Sequence, residues 1–90
     1  MTVRRTLEIV NEKGLHARAS ARFAELVEGH ACRVEVSKDG MTVSGDSIMG
    51  LLMLGAGRGS RIEIAVEGAG AEALAEKIEA LVKDRFGEEF

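Results

Sequence analysis

The chain has 90 residues, a net charge of −3 and 46% hydrophobic residues, and its only aromatic residues are three phenylalanines. This length suits a single small domain, residues 1–90, that buries roughly 60–65% of its unfolded surface without disulfides or metals. The acidic balance argues against a general nucleic-acid-binding protein. With so few aromatic residues, the core is expected to consist mainly of Val, Ile, Leu, Met and Ala.

The sequence also indicates the cellular compartment. Cys32 is the only cysteine, so an internal disulfide is excluded and a reducing cytoplasm fits. The first ten residues are too charged for a signal peptide, and the apolar run at 48–56 is too short to cross a membrane. We therefore expect a cytoplasmic monomer with no membrane insertion, no metal and no cofactor.

The first half of the chain predicts a strand, a helix and a hairpin. Apolar residues alternate at 3–10, although Arg5 interrupts the apolar face. A helical period follows at 17–28. Its predicted buried stripe consists of Ser20, Phe23, Ala24 and Val27. Alternation returns at 32–37 and 41–44, and the Asp-Gly pair between these runs is a strong hairpin signal.

The second half predicts a helix, a strand and a last helix. A short apolar run at 48–54 follows Asp46 and Ser47, either of which could cap a helix. A glycine-rich connection, 55–60, leads to a clearly alternating strand at 61–67. The last helix is expected to begin at residue 71 and to end near Gly87. Its predicted apolar face consists of Ala71, Leu74, Ala75, Ile78, Leu81 and Val82.

The element order is therefore β-α-β-β-α-β-α. Four amphipathic strands form a sheet with one apolar face, which three helices can cover. The predicted fold is an α/β open-faced sandwich, with a four-stranded antiparallel sheet covered on one side by three helices. The order of the strands cannot be read from the pattern, and the same element order would also suit a ferredoxin-like fold.

The segment NEKGLHARAS, residues 11–20, contains the best candidate for a chemical function. His16 stands where the first strand gives way to the first helix, and Arg18 lies in the first helical turn. Free backbone N–H groups and a partial positive charge at a helix N-terminus favour phosphate, and an arginine can bind the same oxygens. A lone histidine is more often a surface residue or a satisfied core residue. The context nevertheless favours a histidine that accepts a phosphoryl group.

The motif GLHAR at 14–18 resembles the active-site motif of HPr, the histidine-containing phosphocarrier family of the phosphoenolpyruvate-dependent phosphotransferase system. That family usually continues with Pro-Ala, whereas this chain has Ala19-Ser20. The difference removes a helix-favouring proline from the first turn but leaves the histidine and the arginine in place.

The predicted short helix at 48–54 is apolar nearly all round. At 100° per residue, Ile48, Met49 and Leu52 share one arc, while Leu51 and Leu54 point elsewhere. One interpretation is a deeply buried helix. The other is an exposed patch for partner proteins, for which methionine is well suited. The motif SIMG at 47–50, with the leucine-rich residues after it, resembles the HPr segment that carries a regulatory serine.

The resemblance covers nearly the whole chain and implies the strand order first, fourth, second, third, with all helices on one side. It implies a carrier, not a turnover enzyme, that takes phosphate from enzyme I on Nδ1 of His16 and passes it to an EIIA-type protein. Arg18 would help to hold the phosphoryl group. Ile48, Met49 and Leu52 would be docking residues, and Ser47 the target of an HPr kinase/phosphorylase.

Two alternatives to the carrier stay open at this point. One is a regulatory HPr-like interaction module of the nitrogen-related branch that acts mainly by binding proteins; relatives of that kind lack the histidine. The other is a ferredoxin-like domain that binds a small ligand or RNA, which the acidic charge and the lack of aromatic residues on strands disfavour. The sequence does not separate sugar transport from the nitrogen-related branch.

Other candidate sites have simpler explanations. The glycine-rich residues 55–59 precede a strand, whereas a dinucleotide-binding fingerprint follows a strand and opens a helix. His30 and Cys32 are too few ligands for a metal, so we expect a surface turn residue and a core residue. No Ser-His-Asp arrangement or acidic pair suggests a hydrolase.

Overall fold

The computed structural model describes residues 2–90 and contains a four-stranded sheet and three α-helices. The elements in chain order are β1 (Thr2–Glu8), α1 (Ala17–Glu28), β2 (Arg33–Lys38), β3 (Met41–Ser44), α2 (Ile48–Met53), β4 (Arg61–Glu67) and α3 (Ala71–Lys83), followed by a short 3-10 turn at Arg85–Gly87. This order confirms the predicted β-α-β-β-α-β-α arrangement.

All strand pairs are antiparallel, and the strand order is β1-β4-β2-β3, as the family resemblance implies. The register aligns the apolar residues of neighbouring strands. Val66 of β4 lies opposite Val3 of β1 and Val34 of β2, and Ile64 lies opposite Val36. Because side chains alternate between the faces of a strand, this register collects the apolar side chains on one face of the sheet.

The three helices cover that apolar face. The predicted stripe of α1 is buried, and Ala19 belongs to it as well. On α3, Leu74, Ile78 and Val82 are buried, whereas Leu81 lies at the edge and is only half-buried. The opposite face of the sheet carries exposed polar residues such as Arg4 and Glu63. The predicted open-faced sandwich is thereby confirmed.

The hairpin between β2 and β3 turns at Asp39 and Gly40, as the sequence predicts. Both residues have positive φ angles, 50° and 82°, which a two-residue turn of this kind requires. Cys32, which we expected in the core, lies just before β2 and is only half-buried. It packs against the edge of the core, and its Sγ donates a hydrogen bond to the carbonyl of Ala69 in the loop before α3.

Arg5, which interrupts the apolar face of β1, joins the sheet to α3. Its guanidinium forms ion pairs with Glu72 and Glu79, each with an N···O distance of 2.7 Å. Hydrogen bonds and positive charge from Arg5 and Lys83, led by the Arg5 hydrogen bond, lower the pKa of Glu79. A carboxyl group whose pKa is lower in the folded than in the unfolded state stabilises the fold at pH values above its unfolded-state pKa. This contribution is lost as the pH falls through its folded-state pKa.

The predicted end of the last helix is wrong. α3 ends at Lys83 with Asp84 as its C-cap, and Gly87 lies in the 3-10 turn beyond it. The chain leaves the helix early because Phe86 turns back into the core, where it is fully buried. No helix among residues 2–90 is long and apolar enough to cross a membrane.

Candidate functional site

His16 is the N-cap of α1, with extended backbone angles of φ −76° and ψ −178°. Its carbonyl accepts the first helical hydrogen bond, from the amide of Ser20 at 2.9 Å. The amides of Ala17, Arg18 and Ala19 come before this first donor, so they have no acceptor within the helix and point out of its N-terminal end. The imidazole is only partly buried, with 27% of the side chain exposed, so another molecule can reach it from solution.

The loop before His16 is held by backbone contacts that the sequence does not reveal. Gly14 has a φ of +66°, and the amide of Leu15 donates to the carbonyl of Ala56 at 2.9 Å. Because Ala56 follows α2 closely in the chain, these contacts tie the histidine loop to the segment after α2. The position of the imidazole therefore depends on a close approach between two backbones.

Ala19 and Ser20, the departures from the usual Pro-Ala of the HPr motif, fit this helix start. Both residues are fully buried. The Ser20 hydroxyl donates to the carbonyl of Leu15 at 3.1 Å, which anchors the residue before the histidine. α1 begins at Ala17 without a proline in its first turn, so the departure leaves the helix start intact.

His16 and Arg18 line one cavity of about 580 Å³. Its other charged lining residues are the cationic Lys13 and Arg22 and the acidic Glu12, Glu88 and Glu89. Arg18 is exposed and makes no hydrogen bond or ion pair among the described residues, so its guanidinium is free to bind an anion. The structure thus brings together the two residues that the sequence singles out. Lys13 and Arg22 were not predicted to belong to the site.

The acidic partner of the histidine comes from the far end of the chain. The carboxylate of Glu88 contacts Nε2 of His16 and also accepts a hydrogen bond of 2.9 Å from Nδ2 of Asn11. Glu88 is separated from His16 by 72 residues, and no sequence motif links the two. Only the folded tail brings them together.

His30, the other histidine, lies in the bend after α1 and not in this cavity. Its Nδ1 contacts the carbonyl of Leu26 at 2.9 Å, and its Nε2 lies 3.2 Å from Nζ of Lys77. Both ring nitrogens are therefore engaged. Within residues 2–90, no group of three or more His, Cys, Asp or Glu side chains is arranged to hold a metal ion.

α2 carries the second predicted site. Ser47 is its N-cap, and the hydroxyl oxygen accepts a hydrogen bond of 3.0 Å from the amide of Gly50. Of the residues predicted for docking, Ile48 is 42% exposed, Met49 is 69% exposed and Leu52 is half-buried. The interpretation of α2 as a deeply buried helix is wrong, because only the opposite side of the helix, at Leu51, faces the core.

Met53 was missed as a member of this surface. It is 65% exposed and lies four residues after Met49, so it belongs to the same helix face. The spacing of four residues between Met49 and Met53 could have predicted that both lie on one face of the helix. We define the α2 patch as the four residues Ile48, Met49, Leu52 and Met53. α1 and α2 pack against each other, so the patch and the histidine belong to neighbouring helices.

A family model described as the PTS HPr component phosphorylation site matches residues 3–84 of the chain. The chain belongs to the HPr family. The phosphocarrier protein HPr of Cupriavidus necator is 38% identical over 86 residues, which cover 96% of this chain and 97% of that protein. The phosphocarrier protein NPr of Escherichia coli is 34% identical over 90 residues, covering 99% of this chain and all of that protein.

Solved structures of the family have the same fold. The crystal structure of HPr-C-His from Thermoanaerobacter tengcongensis superimposes with a TM-score of 0.93 at 34% identity, covering 98% of this chain and 99% of that chain. HPr from Bacillus anthracis superimposes with a TM-score of 0.86 at 36% identity, covering 90% and 96%. The family suggested by the two sequence motifs is therefore correct, and the ferredoxin-like alternative is excluded.

Proposed function

We propose that this chain carries a phosphoryl group in the phosphoenolpyruvate-dependent phosphotransferase system, accepting it from enzyme I on His16 and passing it to an EIIA-type protein. The observation that carries the proposal is the position of His16 as the N-cap of α1, with Arg18, which pairs with no other residue in the range 2–90, two residues later. A phosphoryl group on this ring would meet free amides, the positive end of the helix and a guanidinium.

The site suits a carrier better than a turnover enzyme. A carrier must stabilise the phosphohistidine only modestly, because the group has to move on to the next protein. The partly exposed ring is consistent with that requirement. Residues 1–90 would act as one domain and as a cytoplasmic monomer, without a cofactor and without nucleic acid as a partner.

The direct test uses purified components. Incubation with phosphoenolpyruvate and a cognate enzyme I should add one phosphoryl group per chain, labile in acid and stable in alkali, as intact-mass measurement would detect. Addition of an EIIA-type protein should then remove it. A chain that takes up no phosphoryl group from any enzyme I of its source organism would contradict the proposal.

A second candidate is a role in the nitrogen-related branch, in which the protein acts mainly by binding other proteins. Similarity to the phosphocarrier protein NPr over essentially the full chain supports a place in this branch. Because that protein is itself named a phosphocarrier and this chain has His16, phosphoryl transfer is expected in either branch. The two candidates differ in the EIIA partner. Phosphoryl exchange with each EIIA-type protein of the source organism, measured in parallel, separates sugar transport from the nitrogen-related branch.

We propose that the α2 patch docks both partners. Met49→Asp should slow phosphoryl transfer from enzyme I and to the EIIA-type protein by about tenfold or more, because a charge in the centre of an apolar interface is costly. Stability should change by no more than about 0.5 kcal/mol, since the side chain is exposed.

The control for this prediction is Met41→Asp, which puts the same charge on another exposed methionine, at the start of β3. Transfer should be unaffected in this variant. A large loss of thermal stability in Met49→Asp with normal transfer would instead assign Met49 to the core.

We further propose that phosphorylation of Ser47 by an HPr kinase/phosphorylase regulates transfer. A phosphate at the N-cap of α2 would be tolerated, because it meets the free amides at the helix start. It would also add negative charge beside Ile48 and Met49. Partners that contact the exposed guanidinium of Arg18 are expected to carry acidic groups, which this charge would repel.

Ser47→Asp should therefore slow transfer from enzyme I without unfolding the protein, and added salt should reduce the effect. The matched control is Ser47→Asn, because Asn and Asp both cap helices well and differ in charge. Transfer rates measured over a range of salt concentrations test the idea. Equal rates for the two variants at every salt concentration would show that Ser47 only caps the helix.

A further inference from the structure

The C-terminal segment 85–90 folds back over the histidine. Arg85 and Phe86 both have φ angles of 55°, an uncommon value for residues other than glycine, and they reverse the chain after α3. Phe86 is fully buried, and its carbonyl accepts a hydrogen bond from Arg22 of α1. The carbonyl of Phe90 accepts from the amide of Glu12 at 2.9 Å. The tail is therefore anchored on both sides of Glu88.

Glu88 is held between two donors. Its Oε1 accepts from Nδ2 of Asn11, and its Oε2 contacts Nε2 of His16. Asn11 is fully buried, and the same Nδ2 donates to the carbonyl of Gly14 at 2.8 Å. One amide group thus fixes the carboxylate relative to the turn that precedes the histidine.

The carboxylate is ionised at neutral pH. Burial has the largest single influence on the pKa of Glu88 and acts to raise it. Hydrogen bonds from Asn11 and His16, together with the charges of His16 and Lys13, outweigh burial and lower the pKa below its usual value. Only 15% of the Glu88 side chain is exposed, so water weakens the contact with His16 less than it weakens a surface pair.

An ionised carboxylate can only accept hydrogen bonds, so Nε2 of His16 must carry the proton. In the neutral ring the lone pair is then on Nδ1, which makes no hydrogen bond among the described residues. We infer that Glu88 is a positioning residue that holds the proton of His16 on Nε2 and so makes Nδ1 the phosphoryl acceptor. This inference rests on the proposed carrier function, and Glu88 lies beyond residue 84, where the family-model match ends.

The same contact removes the need for a proton transfer. In the forward step the Nδ1 lone pair forms the bond to phosphorus, and the bond from phosphorus to the donor atom breaks with its electron pair returning to the donor. The His16 ring keeps the Nε2 proton and becomes positively charged, which the Glu88 carboxylate offsets. When the phosphoryl group leaves, the electron pair of the Nδ1–P bond returns to Nδ1, and the ring is neutral again with its proton still on Nε2.

The first test needs no partner protein and no phosphorylation. Ring ¹⁵N chemical shifts of His16 report which nitrogen carries the proton. In Glu88→Ala, the ratio of the Nε2–H to the Nδ1–H form should fall about tenfold, toward that of a free imidazole, as expected for loss of one charge-assisted hydrogen bond. Glu89→Ala is the control, because this neighbouring carboxylate makes no contact with His16 among the described residues.

An unchanged ratio in Glu88→Ala, or the same change in both variants, would overturn the inference. Since this measurement uses the unmodified protein, its outcome does not depend on whether enzyme I phosphorylates the chain. The two proposals can therefore fail separately.

The second test examines the phosphorylated ring, prepared chemically with phosphoramidate. A ring that keeps its Nε2 proton leaves as neutral imidazole, so it loses the phosphoryl group more readily. Hydrolysis of the phosphohistidine at neutral pH should therefore be about threefold slower in Glu88→Ala than in the wild type or in Glu89→Ala. Faster hydrolysis in Glu88→Ala would show that the carboxylate acts by repelling the phosphoryl group, and the inference would be wrong.

Discussion

His16→Ala is expected to abolish the acid-labile phosphoryl group that forms with phosphoenolpyruvate and enzyme I. The reason is chemical, because the variant lacks the ring nitrogen that attacks phosphorus, and no neighbouring group replaces it. Stability should fall by only about 1 kcal/mol, since the side chain is partly exposed and Glu88, which loses this partner, keeps its hydrogen bond from Asn11. Intact-mass measurement of the phosphoryl group, with a melting curve of each variant, tests both expectations.

The matched control is His30→Ala, which removes the only other histidine. Phosphorylation should remain at the wild-type level, because both nitrogens of His30 are engaged, by the Leu26 carbonyl and by Lys77. His30 also lies outside the cavity that contains Arg18. Loss of the phosphoryl group in His30→Ala, with retention in His16→Ala, would refute the proposed mechanism.

Local patterns in the sequence predict much of this fold. The helical stripe of Phe23, Ala24 and Val27 is visible because one face of α1 packs on the sheet and the other faces water. The Asp39-Gly40 turn is visible because few residues adopt positive φ angles. The exposed α2 patch follows from an apolar helix that a single-layer sheet can cover on only one side.

The parts that the sequence does not reveal depend on contacts between distant segments. Arg5 interrupts the apolar face of β1, and only the position of α3 explains why this is tolerated, through Glu72 and Glu79. Phe86 and Glu88 follow a predicted helix that ends earlier than its pattern indicates. The pairing of Glu88 with His16 depends on the path of the tail, for which local propensity gives no signal.

Gly14 shows the same limit at the site itself, and its replacement should have a large effect. A Cβ atom at Gly14 would lie 2.4 Å from the carbonyl oxygen of Ala56 and 2.8 Å from Cα of Gly57. Both are backbone atoms, so neither can move aside by changing a rotamer. The φ of +66° adds the strain of a left-handed conformation for any residue with a Cβ.

Gly14→Ala is therefore expected to lower the free energy of unfolding by about 3 kcal/mol, which for a domain of this size lowers the Tm by roughly 15 °C. Denaturation by urea measures the loss. The variant should also be phosphorylated more slowly than the wild type while still folded, because relief of the clash requires the loop to move away from Ala56 and would break the hydrogen bond from Leu15.

Gly55→Ala separates the two causes of this loss. Gly55 has nearly the same backbone angle, a φ of +62°, but a Cβ atom there would meet nothing within 4 Å. Its replacement should cost only the conformational strain, about 1 kcal/mol, and should leave phosphorylation unchanged. If both variants lose the same stability, the close approach to Ala56 is not what makes glycine necessary at position 14, and the position of His16 must be fixed by other contacts.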